Sequence, residues 1–381
     1  MTRVYVGMSG GVDSSLAAAL LVEQGYDVTG VYMKNWTKDL PGMKCPWADD
    51  LADAKRVAVQ LGIDFKVFDF ENEYRHKVVD YMIDEYKNGR TPNPDIICNQ
   101  EVKFKLFLST ALEDGADMIA TGHYARVGSS SGIVSVGNGF APGLTGAPAP
   151  GQTRAADVSL QKDTRATLLR AIDDNKDQTY FLYRVTSEAL SKTLFPLGEF
   201  TKPQVRAMAK ERGLYTASKK DSQGICFVGK VGIRDFLSQY VEQKPGQVID
   251  KKSGKVLGYQ DGAIFYTLGQ RHGLDVGGGL PYYVVGKDMD KNEVYVTTDL
   301  NDESLWKNQT RLSAVHWTNE APLEGDYAIR IRHRAKLVKA RLSYDANEVV
   351  LQLSNPERAI APGQSVVIYS DRVCLGGGII I

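Results

Sequence analysis

Ser9-Gly10-Gly11-Val12-Asp13-Ser14-Ser15 is the densest group of ligand-binding residue types in the chain. The two glycines allow positive φ and let the backbone come close to a ligand. Three serine hydroxyls add donors. If a helix starts here, its first N–H groups and its dipole favour an anion, so the chemistry offered is phosphate binding. The chain has no GxxxxGKS or GxxxxGKT, and the lysine that reaches the β- and γ-phosphates in the Walker loop is missing from this position. A Gly-Ser turn that only caps a helix has the same composition. Asp13 reads equally as a partner within its loop and as a magnesium ligand.

Two cysteines stand in polar, Gly- or Pro-marked surroundings. Cys98 closes Asn93-Pro94-Asp95-Ile96-Ile97-Cys98, and Cys226 lies in Asp221-Ser222-Gln223-Gly224-Ile225-Cys226. The first stretch reads as a rigid loop between two helices. A thiol at a helix start is held partly as thiolate, the form that attacks electrophiles. Taken singly, each cysteine reads as well as a small buried residue. Cys45 and Cys374 lack such neighbours and read as structural. No CxxC pair exists, which argues against a zinc ribbon.

These groups need elements to position them. Arg3–Met8 reads as a buried strand and Ser14–Gln24 as a helix closed by Gly25. Strands at 27–33, 64–70 and 117–121 alternate with helices at 48–61, 71–87 and 100–113. Repeated β-α-β units predict a parallel sheet covered on both faces, with the ligand beyond the carboxyl ends of its strands. Residues 127–153 carry no charge and are rich in Gly, Ser, Ala and Pro, which reads as a loose loop or hairpin. After about residue 221, short β-rich segments alternate with Gly, Asn and Asp. The expected organisation is α/β: a parallel-sheet domain over 1–220 with a flexible loop at about 127–160, a central β-rich domain over 221–298, and a C-terminal β-barrel domain over 299–381.

Two further clusters are polar. Lys176, Asp177 and Gln178 precede the run TYFLY and read as a surface turn or a functional group alike. Arg330, Arg332, Arg334 and Lys336 recur at period two, and no acidic residue lies between Asp326 and Asp345. That spacing predicts four cations on one strand face, suited to phosphates.

SGGVDSS resembles the loop of the N-type ATP pyrophosphatases, which adenylate a substrate oxygen and release pyrophosphate. Two thiols beside such a loop suggest sulfur transfer. GMSGGVDSS, GVYMKNW, TPNPDIICN, TGHYAR, DDNKDQTYFLY, FPLGEFTKPQVR, KKDSQGICFVG, YTLGQRHGL, VGKD, IRHRA and APGQSVV together resemble the tRNA-specific 2-thiouridylases, from about residue 3 to residue 378. The resemblance implies a fold with an adenine nucleotide alpha hydrolase-like (PP-loop) domain. It implies ATP, carried with Mg2+, on Gly7, Met8, Ser9, Gly10, Gly11, Val12, Asp13, Ser14, Met33 and Gly122. It implies the target base on Asn93, Pro94 and Asp95, Cys98 as nucleophile, Cys226 as persulfide carrier, and tRNA contacts at His123, Lys176, Asp177, Gln178, Arg332, His333 and Gln364. Asp95 is a candidate proton shuttle. The implied partners are a tRNA with a wobble uridine and a cysteine desulfurase or sulfur carrier. The block RIRHRA departs from the family's commoner RYR form, with His333 in place of tyrosine, and the uncharged insert is long for the family. An ATP-dependent amide ligase of the same loop class is the alternative.

Composition bounds these readings. The chain has 381 residues, 46 Lys+Arg and 46 Asp+Glu, for zero formal charge. Its length suits two or three domains. No apolar run reaches the roughly 18 residues of a membrane span, and MTRVYVG shows no signal-peptide pattern, so a cytoplasmic setting is expected. Residues 1–125 carry a net −6 and residues 160–234 a net +6. Neutrality therefore excludes broad affinity for nucleic acid, but not one shaped RNA held on one face with a modest salt slope.

Overall fold

The computed structural model describes residues 1–39, 45–129, 165–220, 232–274, 276–277, 279–346 and 348–381. The alternating segments of the first 125 residues form β1 (Arg3–Gly7), α1 (Val12–Glu23), β2 (Asp27–Lys34), α2 (Trp47–Leu61), β3 (Asp64–Asp69), α3 (71–87), α4 (94–113) and β4 (Met118–Thr121). β5 (Ala125–Ser129), β6 (Ala166–Arg170), β7 (Thr193–Leu194) and α5 (Lys202–Glu211) follow. The parallel sheet runs β3-β2-β1-β4-β7. Its order reverses direction between β1 and β4, which creates a crevice at their carboxyl ends.

Sequence explains the layering. Val4, Val6 and Met8 face α1 and α2, while Tyr5, Val31 and Met33 face α3 and α4. α1 has no polar stripe because it is buried twice. Ala18 and Leu21 meet the sheet, while Leu16, Ala17 and Leu20 meet Val205 and Ala209 of α5. Each fully buried leucine there contributes about 1.5–3 kcal/mol. α2 ends where Gly62 takes a left-handed conformation, φ 66°.

α3 and α4 each contain a π-helical stretch, Arg75–Val79 and Cys98–Leu106. Such wide turns are rare and cluster at functional sites. α4 also starts earlier than the sequence suggests. Asn93 accepts a hydrogen bond from the Asp95 N–H at 3.1 Å and Pro94 occupies the first turn, so the expected loop is a helix start.

The central unit is a four-stranded sheet, β8 (Gly246–Asp250), β9 (Val256–Gln260), β10 (Tyr283–Asp288) and β11 (Glu293–Thr297), in the order β10-β11-β8-β9. β12 (Trp306–Trp317), β13 (Gly325–Arg330), β14 (Val338–Asp345), β15 (Glu348–Arg358), β16 (Ser365–Ser370) and β17 (Val373–Ile380) form a barrel that the β12–β17 pairing closes. β6 pairs with β17 through Leu168 and Leu169, so the β5–β6 hairpin of the first domain extends the barrel's sheet. Of the expected loose loop or hairpin at 127–153, residues 127–129 belong to β5. Residues 130–164 lie outside the described residues.

The predicted strip of cations does not form. β13 ends at Arg330, Arg334 sits in the following turn with φ 63°, and Arg330 is buried. Its guanidinium donates to Asp177 at 2.7 Å, within reach of Arg170 and over the Tyr369 ring. Period two placed these residues on a strand that stops before most of them. Arg330→Gln leaves Asp177 short of its main charge partner, and is expected to cost about 3 kcal/mol of stability in urea titration. The double variant with Asp177→Asn should lose less than the sum of the single changes.

Candidate functional site

The N-terminus of α1 opens into the crevice. Gly11 is its cap residue, and no side chain caps the helix. Ser9 N–H donates to Ser14 Oγ at 3.1 Å, and the Ser14 and Ser15 hydroxyls donate to the Gly11 carbonyl at 3.2 and 2.8 Å. The loop is therefore prefolded by its own serines, leaving the first-turn amides directed outward. Gly10 has φ 70°, and a Cβ there would collide with the Asp50 carbonyl. Gly122, just past β4, is equally constrained: a Cβ would lie 2.7 Å from the Ser14 nitrogen. Gly122 thus lies against the start of α1, beside the expected phosphate loop.

Asp13 settles its ambiguity through a residue the sequence reading missed. Lys202, largely buried at the start of α5, donates to both Asp13 oxygens at 2.7 and 2.8 Å, and the Tyr124 hydroxyl donates to Oδ1 at 2.9 Å. Asp13 is thus a loop partner, poorly placed as a metal ligand. Among the described residues no cluster of acidic, His and Cys side chains is arranged to hold a metal ion. Lys202 brings a cation to the loop from 189 residues away, where a Walker loop carries its own. The only local signal was the capping box of Thr201 and Gln204.

Met33 and Cys98 lie in the core layer on the α3/α4 face of the sheet. A Cβ on Gly7 would touch Met33 at 3.0 Å and Phe107 of α4 at 3.5 Å, so the strand leading into the Ser9–Ser15 loop packs against the helix of Cys98. Cys98 is fully buried at the junction of the α and π turns. Cys98, expected on a rigid loop at or just before a helix start, lies inside a helix that starts at Pro94 and is buried. Two buried amides were given no role from sequence. Asn35 follows β2 and has neither side-chain atom hydrogen-bonded, and Asn99 donates to the Phe181 carbonyl but has an unpartnered Oδ1.

Cys226 lies outside the described residues. Its described flanks are held at the crevice. Lys219 donates to Asp50 and Asp53 at 2.8 and 2.7 Å, beside Gly10, and Phe236 packs on Trp36 at 5.5 Å. Cys45 and Cys374 carry free thiols, and burial pushes the Cys374 thiol far up.

The residues expected to meet tRNA divide into two groups. His123 and Gln178 flank Gly122 and Tyr124, beside the Ser9–Ser15 loop. Gln178 accepts from the Tyr124 N–H at 2.8 Å, and His123 Nδ1 lies 2.8 Å from Thr121 Oγ1, between Phe104 and Phe195. Burial, then the Lys103 charge, holds the His123 pKa well below the usual histidine range. Lys176 is half-buried beside them, whereas Asp177 is interior, so the structure does not fit a direct RNA contact by Asp177. In the second group, Arg332 donates to the carbonyls of Arg358 and Ala359, and Gln364 donates to the Thr91 carbonyl at 2.7 Å. His333 packs on Phe181 at 4.4 Å, so the ring keeps an aromatic contact of its own.

Burial and the flanking Arg334 and Arg330 lower the His333 pKa to about 4. Below pH 6.5 the unfolded chain takes up a proton that the folded chain refuses until about pH 4. Stability is therefore expected to fall as pH drops through that window. His333→Tyr should flatten the slope of urea midpoint against pH between 6.5 and 5.

Comparison with known proteins follows this geometry. Residues 2–230 match the tRNA methyl transferase HUP domain, 234–298 the tRNA methyl transferase PRC-barrel domain, and 307–380 the aminomethyltransferase beta-barrel domain. The tRNA-specific 2-thiouridylase MnmA of Bacillus thuringiensis (strain Al Hakam) is 45% identical over 383 residues, covering 100% of this chain and 94% of that protein. The chain belongs to the tRNA-specific 2-thiouridylase family. The enzyme of the same name from Bacillus cytotoxicus is 44% identical over the same coverage. Among solved structures, a 4-thiouridine synthetase–RNA complex with bound ATP matches 62% of this chain and 50% of that one, at 17% identity and a TM-score of 0.36. Family membership agrees with the resemblance carried by the motifs, and the fold agrees with a parallel-sheet domain followed by β-rich units and a closed barrel. No helix among the described residues is long and apolar enough to cross a membrane.

Proposed function

We propose that this protein replaces the C2 oxygen of a tRNA wobble uridine with sulfur, using ATP. The observation that carries the reading is the packing of Gly7, at the end of the strand that leads into the uncapped loop, against the helix bearing Cys98. ATP binds with its phosphates on the α1 amides, and Lys202 and Gly122 keep that helix start in place. Any Mg2+ arrives with the nucleotide, since Asp13 is committed to Lys202 and Tyr124. The wobble base leaves its stack to reach this depth. Its C2 oxygen attacks the α-phosphorus and pyrophosphate departs, which turns that oxygen into part of an AMP leaving group. Cys226 carries a persulfide supplied by a cysteine desulfurase or a sulfur carrier. The terminal sulfur attacks C2 and AMP leaves. Cys98 then attacks the Cys226 sulfur, freeing 2-thiouridine and leaving a Cys98–Cys226 disulfide for an external dithiol to reopen. Alternatively, Cys98 opens the persulfide first and hydrogen sulfide attacks C2. Asn93, Pro94 and Asp95 border the base, with Asp95 placed to move a proton. His123, a neutral imidazole, and Lys176 lie where the RNA backbone enters. The setting is the cytoplasm, where thiols stay reduced.

The test is mass spectrometry of nucleosides from tRNA incubated with the protein, ATP, a dithiol, and a cysteine desulfurase with cysteine, which delivers the sulfane sulfur that a Cys226 persulfide requires. 2-Thiouridine and one pyrophosphate per modified base are expected. An amide ligase of the same loop class would consume ammonia and be indifferent to both cysteines. Absence of 2-thiouridine would sink the reading.

A further inference from the structure

The backbone just ahead of the target-base motif is held by two other domains. Thr91 lies two residues before Asn93. Its N–H donates to the Pro362 carbonyl at 2.9 Å, and its carbonyl accepts from Gln364 Nε2 at 2.7 Å. Both partners belong to the turn before β16 of the barrel. The Thr91 hydroxyl lies 3.1 Å from that of Thr267, which belongs to the central domain. Contact is close enough to exclude a side chain on the barrel side: Gly363 has φ 90°, and a Cβ there would sit 2.6 Å from the Thr91 nitrogen. The central domain also packs under the turn at Gly89, where a Cβ would meet Met289 at 2.9 Å. A second contact joins these two outer domains to each other. Gly269 lies directly over Ala359, whose carbonyl accepts from Arg332.

We propose that Gln364 and Thr267 are positioning residues that hold the Asn93-Pro94-Asp95 loop from behind, so that the base pocket is complete only when the barrel and the central domain are docked on it. Both backbone hydrogen-bonding groups of Thr91 are spent on the barrel. Asn93 can cap α4 only if the chain enters at the angle this junction sets, and α4 carries Cys98. A polar residue on the barrel therefore acts on the reacting centre through two residues of backbone. Errors of about 1 Å in such placement cost on the order of 10²-fold in rate. The view differs from a direct tRNA contact by Gln364, one of whose two amide hydrogens is engaged by Thr91. It rests on the functional reading above.

The test uses the full chain. Gln364→Leu, Thr267→Val and Thr267→Ser are compared with the parental protein for tRNA Kd by filter binding. Single-turnover 2-thiouridine formation is measured at saturating enzyme. Gln364→Leu and Thr267→Val are expected to slow the saturated rate at least tenfold with Kd changed less than twofold, while Thr267→Ser, which keeps the hydroxyl, retains the parental rate. A raised Kd with a parental saturated rate would make Gln364 an RNA contact and overturn the proposal. Parental values of both would overturn it too. If the parental protein itself forms no 2-thiouridine, the functional reading fails, and the positioning role falls with it.

Discussion

Cys98→Ser should form no measurable 2-thiouridine while still releasing pyrophosphate in the presence of tRNA. Serine fills the same space in the fully buried site, so the helix from Pro94 onward should keep its path. What changes is the atom. A serine oxygen is a far weaker nucleophile than sulfur toward the Cys226 sulfur, and it cannot form the disulfide that releases the product. Activation by ATP depends on the α1 amides and not on Cys98, so the adenylation step should survive. Loss of a nucleophile from a catalytic unit typically costs 10⁴-fold or more, and at least about 10³-fold is expected here. Cys226→Ser should give the same separation of pyrophosphate release from thiolation. Each variant is read by nucleoside mass spectrometry beside a pyrophosphate assay. Thiolation at the parental rate by either one would rule out a two-thiol route.

How much of this was legible in the sequence depends on distance along the chain. The strand–loop–helix at Ser9–Ser15 and the parallel order of the first sheet follow from local pattern, since β-branched runs and Gly breaks recur at short range. The family blocks placed Gly122 near the phosphate loop, and a Cβ-free contact with Ser14 gives the physical reason. Long-range pairing was not legible. The +6 stretch at 160–234 left room for one RNA bound on one face. In the structure Lys202, Arg212 and Lys219 pair with Asp13, Glu23, Asp50 and Asp53 of the acidic first domain. Much of that charge is internal neutralisation, and the salt slope of tRNA binding should be correspondingly small. Arg330 misled in the same way. A cation in a run of cations reads as surface, and only the fold brings Asp177 to it from 153 residues away.

Gly122→Ala is expected to weaken ATP binding about 10²-fold while leaving the protein folded. The added methyl would lie 2.7 Å from the Ser14 nitrogen, 2.8 Å from the Asp13 carbonyl carbon and 3.0 Å from the Ser14 Cα. All three are backbone atoms, so no side chain can turn aside. β4 cannot retreat, because Thr121 is in register with Gly7 of β1. α1 cannot retreat easily either, being packed between the sheet and α5. The first turn of the helix must therefore shift, at an overpacking cost of about 1–3 kcal/mol in stability. The phosphate site suffers more, because it consists of those same first-turn amides. Charge-assisted hydrogen bonds contribute about 1.5–3 kcal/mol each, and misaligning one or two of them raises Kd by roughly two powers of ten. Gly25→Ala is the control. Gly25 has φ 82° and nothing within 4 Å of its would-be Cβ, so that change carries backbone strain alone and should leave ATP affinity untouched. Calorimetric titration with a non-hydrolysable ATP analogue, beside a melting curve for each variant, separates the two effects. Unchanged affinity in Gly122→Ala would mean that the phosphates do not sit on the start of α1.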